Sequence, residues 1–249
     1  MIKPSTSIDE VISTLQEIIN QEVNENSSLA YFPALYQLVT IRVKEGIANN
    51  EFEDGARMEK LDVLFANRYI DAYIAFKTKK PHTGSWRIVF EAQQRPLLIL
   101  QHLLLGMNAH INLDLAIAAS ETMKGNSLDG LLNDFNTINR LLSEMSDKVQ
   151  KRISKVSPLL GLLDRWAGNT DTLLVNFSIL IARDGAWKSA GEFHKDGVSA
   201  LLTSRDKKIS ALGLQLIHPN NQWVRRLIFG IRLAESKNAG KVVAIICEV

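Results

Sequence analysis

His110 and Asp114 stand four positions apart in the segment GMNAHINLDL, residues 106–115. In a helix this spacing places an imidazole and a carboxylate on one face, about 6 Å apart along the axis. Such a pair can bind a metal ion, or the carboxylate can orient the histidine as a general base. A third interpretation is a structural network that an arginine completes. The spacing alone leaves all three open.

His102 precedes His110 by eight residues, about 12 Å along a helix axis, and falls on the same stripe. Two imidazoles so far apart share one ion only if both lean inward. We therefore expect them to bracket a ligand, or one of them to be structural. Gly106 lies between them, and its missing side chain predicts a space for either a substrate or a neighbouring helix.

Asn108 and Asn112 fall with Gln101 on a second stripe, more than a right angle away from the histidines. Buried amides commonly hydrogen-bond from helix to helix, so this is the first interpretation of the two asparagines. Binding of a ligand or cofactor is the second.

Asp62 is another carboxylate that the pattern places inward, on a helix predicted from about Asp54 to Phe76. A buried aspartate needs a cation, a metal or several hydrogen-bond donors. The simplest expectation is an arginine from a neighbouring helix. Arg183 is the candidate to neutralise Asp62, Asp114 or Asp134, because its guanidinium pairs well with carboxylates.

The stretch from Pro96 to Met123 positions most of these groups and is apolar on nearly all sides. A helix of this kind belongs at the centre of a bundle, and we predict that Pro96 lies in its first turn. A membrane span is the competing interpretation, because the stretch is long enough to cross a bilayer. Six strongly polar groups inside it argue against that, so we predict a buried helix and no membrane span.

Capping signals and apolar periodicity predict further helices along the chain. Ser7 with Glu10 forms a capping box, and Ser85 is a predicted cap. The approximate ranges are 8–22, 30–46, 54–76, 85–94, 128–156, 171–193, 198–217 and 222–236, with a short helix from Pro158 and a weaker signal at the C-terminus. Strand signals are nearly absent. The sequence predicts an all-α fold: one domain over residues 1–249, with about nine or ten helices around the central helix.

The composition is that of an ordinary globular protein, with 46% hydrophobic and 22% charged residues. The net charge of +2 gives no argument for nucleic acid or for an anionic membrane. One cysteine, Cys247, excludes an internal disulfide framework and a cysteine-based zinc cluster. The start lacks the apolar core of a secretory signal, so we expect a cytoplasmic protein. Phosphate-loop, dinucleotide-binding, nucleophile-elbow and H-E-x-x-H motifs are absent.

At GMNAHINLDL the sequence resembles a family of bacterial proteins described only as a domain of unknown function. The resemblance continues through FEDGARMEKLDVLFANRYIDA, NDFNTIN and the IARDGAW segment that ends at Trp187. It implies an all-helical bacterial protein with no assigned activity, whose recognisable segments contain Asp62, His110, Asp114, Asp134, Asn139 and Arg183. One departure is Ala116, where a proline is expected after the Asp-Leu of the motif. We therefore expect the helix to continue where relatives kink.

Two hypotheses about function follow. The first is a small-molecule enzyme, such as a metal-dependent hydrolase or oxygenase. Its catalytic residues would be His110, Asp114, Asp62 and Arg183, and its ligand- or cofactor-binding residues His102, Asn108, Asn112, Asp134 and Asn139. A divalent transition metal would be held by His110, Asp114 and Asp62, although the Glu-x-x-His pairs of di-iron bundles are absent. The alternative is a non-catalytic ligand-binding or scaffold protein in which the same His, Asp and Arg residues form a structural network.

Overall fold

The structure is a computed structural model that describes residues 2–157, 159 and 179–248. Within these residues all regular structure is helical and no strand is present, which confirms the predicted all-α fold. The α-helices are α1 (Ile8–Asn24), α2 (Tyr31–Ala48), α3 (Gly55–Lys77), α4 (Gly84–Glu91), α5 (Ile99–Ala109), α6 (Leu115–Thr122), α7 (Leu132–Val156), α8 (Ile179–Asp196), α9 (Val198–Ile217), α10 (Gln222–Ala234) and α11 (Ala239–Ile246). The helix predicted from Pro158, and the start of the one predicted from 171, lie outside the described residues.

Helix starts are capped by adjacent side chains and also by side chains from distant parts of the fold. Ser7 caps α1 as predicted, accepting from the Glu10 N–H at 3.2 Å. The predicted cap at Ser85 is wrong, because α4 begins at Gly84. The carboxylate of Asp206 on α9 accepts the N–H groups of Gly84 at 2.6 Å and Ser85 at 2.9 Å. A distant carboxylate thus satisfies the free donors of this helix start.

The central helix begins at Ile99, and the prediction of Pro96 in its first turn is wrong. The Leu98 N–H donates to the Gln101 side chain at 2.9 Å, and the Ile99 N–H donates to the Glu235 carboxylate at 3.0 Å. Gln101 and Glu235 thus satisfy the free N–H groups of Leu98 and Ile99 at the helix start, which lies three residues after Pro96.

The central segment Ile99–Thr122 joins the two halves of the core. Its first part, α5, packs against α2, α4 and α9, and its last part, α6, packs against α3 and α8. Among the described residues it is the one helix long and apolar enough to cross a membrane, but 83% of its most apolar window is buried inside the protein. This burial is what the core helix of a globular protein shows.

Candidate functional site

Residues His110–Asp114 form a π-helical turn between α5 and α6. The Leu115 N–H bonds to the His110 carbonyl, five residues back. Such turns occur mostly as single insertions within α-helices and are frequent at functional sites. The continuous α-helix predicted from the sequence therefore missed one irregular turn, and that turn contains His110 and Asp114. The helix continues through Ala116 as expected.

The pair predicted from the spacing is in contact. His110 Nδ1 lies 3.2 Å from Asp114 Oδ2, and the two residues are 2% and 0% exposed. Because a carboxylate only accepts, Nδ1 carries the hydrogen, and Nε2 of the neutral ring is left with its lone pair. The arrangement is that of an aspartate orienting a histidine base.

Asp114 accepts from two further side chains. The Trp86 indole N–H donates to Oδ2 at 2.8 Å, and Arg68 Nε lies 3.5 Å from Oδ1. Arg68 is partly exposed and reaches the buried carboxylate from the protein surface. Both carboxylate oxygens are therefore occupied by protein donors, as a buried carboxylate requires.

Burial lowers the pKa of His110, and the charge of Arg68 adds to this effect. The hydrogen bond and negative charge of Asp114 oppose the shift without reversing it. The folded protein therefore holds a neutral imidazole at neutral pH, with an unprotonated Nε2.

Aromatic rings surround this imidazole. Phe65 stacks on it with ring centres 3.6 Å apart and an interplanar angle of 8°. Tyr36 meets it edge-on at 4.5 Å, with Phe32 at 5.5 Å and Trp86 at 6.0 Å. The environment of Nε2 is consequently apolar apart from the few polar atoms that these rings carry.

Three buried polar atoms in this region make no hydrogen bond: His110 Nε2, the Tyr36 hydroxyl oxygen and Asp62 Oδ2. Tyr36 links the other two, because its ring contacts the imidazole and its hydroxyl lies in the electrostatic field of Asp62. Native proteins leave few buried polar atoms without a partner. We call His110, Tyr36 and Asp62 the unpartnered cluster.

Asp62 is 7% exposed and forms no ion pair among the described residues, so the predicted pairing with an arginine is wrong. Burial, followed by the negative charge of Glu59, raises the pKa of Asp62 to about 7. Burial and the Asp62 charge also raise the pKa of Tyr36 well above its ordinary value. The nearby Thr40 hydroxyl has a weaker, lowering effect on this pKa, but it donates its hydrogen bond to the Tyr36 backbone carbonyl at 3.2 Å and not to the phenol. At neutral pH the cluster thus contains an acid near its midpoint and a protonated phenol.

Arg183 neutralises none of the three aspartates proposed for it. Its guanidinium donates to the Asn139 side chain and, at 3.2 Å, to the Phe135 carbonyl on α7. It also lies 4.3 Å from the centre of the Phe135 ring. Without a carboxylate partner, its burial lowers the pKa of Arg183 to about 9. Asn139 and Arg183 therefore pair with each other between α7 and α8.

Asp134 is occupied in a different way. Its carboxylate accepts from the backbone N–H groups of Glu53 at 2.6 Å and Asp54 at 3.3 Å, and from Arg57 Nη2 at 2.5 Å. These contacts join α7 to the start of α3. Arg57, rather than Arg183, neutralises this carboxylate.

His102 and His110 do not face a shared space. A Cβ at Gly106 would lie 2.4 Å from Phe32 Cγ, so the Phe32 ring fills the gap that the glycine leaves. Of the two predicted occupants of this space, the structure places a neighbouring helix there. His102 instead contacts the edge of the Tyr31 ring, and burial lowers its pKa to about 4.

The amides of the second stripe anchor helices to one another. Asn108 donates to the Ile209 carbonyl at 3.0 Å, and Gln101 donates to the Leu216 carbonyl at 2.8 Å, both on α9. Asn112 donates to the Asn108 side-chain oxygen at 3.0 Å. These contacts correspond to the first of the two interpretations given for the asparagines.

The proposed metal ligands do not form a metal site. No group of three or more His, Cys, Asp or Glu side chains suited to a metal ion occurs within residues 2–157, 159 and 179–248. Asp114 already accepts from Trp86, Arg68 and His110, and an ion would have to displace these donors. The donor set described here therefore does not fit a metal.

The comparison with protein families decides the affiliation of the chain. The model of a family of unknown function, DUF5995, matches residues 8–219. The chain belongs to DUF5995. The unpartnered cluster, the π turn and Arg68 all lie within the matched residues, whereas α10 and α11 lie beyond them. No curated protein and no solved structure matched the chain.

In this DUF5995 protein, sequence reasoning missed Tyr36 and Trp86. Both are aromatic residues with one polar atom, and both lie on helices, α2 and α4, for which the sequence predicted a range but no site residue. A buried tryptophan or tyrosine usually brings its N–H or O–H to a partner, so each was a candidate neighbour for the predicted carboxylates. Which helix supplies that neighbour depends on tertiary packing, and periodicity carries no information about it.

Proposed function

We propose that this protein is an enzyme that performs acid–base chemistry on a small, largely apolar molecule held at the unpartnered cluster. The observation that carries the proposal is the set of three buried polar atoms without hydrogen bonds. A bound molecule with a few polar atoms would satisfy them, and its apolar part would pack on Phe65 and the neighbouring rings. Perturbed pKa values beside an ordered base support the same conclusion.

Each residue of the cluster has a distinct role in this proposal. His110 Nε2 is the general base, and Asp114 holds the ring in the required tautomer. Asp62, with its pKa raised to about 7, is the general acid: near neutral pH it can donate its proton to the leaving group and later take one back. The protonated hydroxyl of Tyr36 donates a hydrogen bond to an oxygen of the bound molecule. Asp114 is thus a positioning residue, and it acts through His110.

Hydrolysis is the favoured reaction class, because a base beside an acid can activate water and protonate a leaving group. We also propose that the chain works as one domain in the cytoplasm, since its long apolar helix is buried in the fold.

A second candidate is a non-catalytic binding or scaffold protein. The observation in its favour is the full set of donors on Asp114, which is what a structural network needs. This candidate explains Asp114 and the anchoring asparagines, but it leaves the three unpartnered atoms without a purpose.

The test uses protein labelled with 15N-histidine and a panel of small esters, amides and ketones. We expect some of these compounds to shift the His110 Nε2 resonance and to raise Tm. The Tyr36→Phe variant, which removes one oxygen, should weaken this binding, whereas the control variant His102→Gln should retain it. If no compound moves the Nε2 signal, or if Tyr36→Phe binds as well as wild type, the proposed function is wrong.

A further inference from the structure

The outer face of α10 is apolar and exposed, although the opposite face of the same helix is already buried. Val224, Ile228 and Ile231 pack into the core on the inner side. Trp223, Phe229 and Leu233 point outward and are 75%, 66% and 68% exposed. The described residues contain six exposed large hydrophobic side chains, and these three all belong to one short helix. Such a concentration marks an interaction surface.

The charged residues of α10 itself are all basic. The helix has no acidic residue, and Arg225 and Arg226 are exposed beside the aromatic side chains. Lys237 and Lys241 extend the positive charge past the end of the helix. The carboxylate of Glu235 is 4% exposed and is occupied by Ser157 and the Ile99 N–H, so it does not neutralise the surface.

The aromatic and basic groups are interleaved. The Arg226 guanidinium lies 5.1 Å from the centre of the Trp223 ring. A hollow of about 350 Å³ on the same face is lined by Gln222, Arg225, Arg226 and Phe229. The guanidinium groups of Arg225 and Arg226 can therefore bind an anion in this hollow, beside the ring of Phe229.

We propose that the outer face of α10 binds the surface of a membrane that contains anionic phospholipids. Trp223, Phe229 and Leu233 would enter the boundary between headgroups and acyl chains, and the arginines would pair with lipid phosphates. A basic amphipathic helix with Trp, Phe and Leu on its exposed side is typical of such binding. This is attachment at the surface, without a helix that crosses the bilayer.

A second copy of the chain fits the face less well. In a two-fold dimer the same patch meets itself, so Arg225 and Arg226 of one copy would lie near those of the other. Like charges at an interface cost free energy, whereas lipid phosphates supply the opposite charge. The positive face therefore favours the anionic surface.

The test is co-sedimentation of the full chain with phosphatidylcholine vesicles, with and without phosphatidylserine, while tryptophan fluorescence, to which exposed Trp223 contributes, is recorded. We expect binding and a blue shift with phosphatidylserine, both of which decrease as salt is added. The double variant Arg225→Glu/Arg226→Glu should bind about tenfold more weakly or worse. The matched control Lys207→Glu/Lys208→Glu makes the same charge change on exposed positions of α9 and should bind within about twofold of wild type.

A second variant tests the apolar contribution. Trp223→Ser/Phe229→Ser should weaken vesicle binding roughly tenfold and leave Tm nearly unchanged, because both side chains are mostly exposed. The proposal is overturned if wild type stays in the supernatant, or if the α9 control loses as much binding as the α10 charge variant. It is also overturned if wild type does not bind vesicles and sedimentation velocity shows that it forms a dimer which the Trp223→Ser/Phe229→Ser variant does not form.

Discussion

Two buried aspartates are associated with α3, and only one of them has a full set of hydrogen-bond donors. Asp134 is 0% exposed and accepts from two backbone N–H groups and from Arg57 at the start of α3. Asp62 lies in the middle of α3, is 7% exposed, and has a carboxylate oxygen without any donor. The first arrangement stabilises the fold, whereas the second lowers the stability at neutral pH.

The difference identifies a buried group that lowers the free energy of unfolding. The backbone donors at the starts of α4 and α5 and the carboxylate of Asp134 are satisfied by groups from distant parts of the chain. The unpartnered cluster brings together three buried polar atoms without hydrogen bonds, and single atoms of Glu22 and Arg57 elsewhere in the fold share this property. Sites that lower stability without structural benefit are commonly functional. We therefore expect Asp134 to be structural and Asp62 to belong to the proposed site, and four measurements test this contrast.

The largest effect is expected at Asp134. Asp134→Ala should lower the free energy of unfolding by about 3–5 kcal/mol, because it leaves Arg57 and two N–H groups without their acceptor. Chemical denaturation measures this. The neighbouring Asn133→Ala, which removes one exposed hydrogen bond to Glu53 at 2.7 Å, should cost less than about 1 kcal/mol. Equal losses in the two variants would contradict the structural role of Asp134.

Asp62→Asn should have the opposite sign. Because the pKa of Asp62 is raised to about 7 on folding, the folded state binds a proton more tightly than the unfolded state, and stability from this group falls as pH rises from about 4 to 7. The variant should therefore gain stability over wild type by up to about 4 kcal/mol at pH 8, and gain little near pH 4.

The pH dependence of Tm for both proteins checks this expectation. The exposed aspartate variant Asp129→Asn serves as control and should follow the wild-type curve. An Asp62→Asn protein that is less stable than wild type at pH 8 would show that this carboxylate has a stabilising partner.

Two buried tyrosines differ in the same way as the two aspartates. The Tyr73 hydroxyl donates to buried Glu22 at 2.5 Å, whereas the Tyr36 hydroxyl has no partner. Tyr73→Phe should cost about 1.5–3 kcal/mol, the range for hydrogen bonds to charged groups. Tyr36→Phe should change stability by less than about 0.5 kcal/mol. Chemical denaturation of the two variants side by side measures this, and a larger loss for Tyr36→Phe than for Tyr73→Phe would contradict the assignment of Tyr36 as unpartnered.

The smallest change is expected at His110, whose ring should keep its hydrogen on Nδ1 between pH 8 and 6. Its lowered pKa means that protonation opposes folding, so its effect on stability runs against that of Asp62: stability falls as pH drops below about 6.5. Histidine 15N shifts report the tautomer directly. A protonated ring at pH 7, or a hydrogen on Nε2, would remove the proposed base.

Much of the fold follows from local pattern. Apolar periodicity predicted the helices later named α1, α2, α3 and α9 within a few residues. Helices α1, α3 and α9 each bury mainly one face, whereas α2 is buried on all sides from Tyr31 to Gln37 and on one face after that. The contact of His110 with Asp114 was also predictable, since both belong to one helical segment. These features depend on neighbours in sequence.

The rest depends on groups that meet only after folding. The partners of Arg183, the arginine that neutralises Asp134 and the isolation of Asp62 are all set by how α3, α7 and α8 pack. The capping of α4 by Asp206 and of α5 by Glu235 likewise joins residues more than a hundred positions apart. A single sequence specifies which side chains are buried, but not which of them meet.

The extra residue in the π turn has a consequence for the whole core. An added residue shifts the angular phase of everything that follows by about 100° relative to a straight α-helix. It therefore sets the direction in which Leu115–Thr122 meet α3 and α8, while Ile99–Ala109 keep their orientation toward α2, α4 and α9. We therefore expect a one-residue deletion at Ile111 or Asn112 to return this turn to regular α-helix and to leave both halves of the segment facing their present neighbours, whereas a deletion within the regular part of Ile99–Ala109 would rotate the preceding residues by about 100° relative to those that follow.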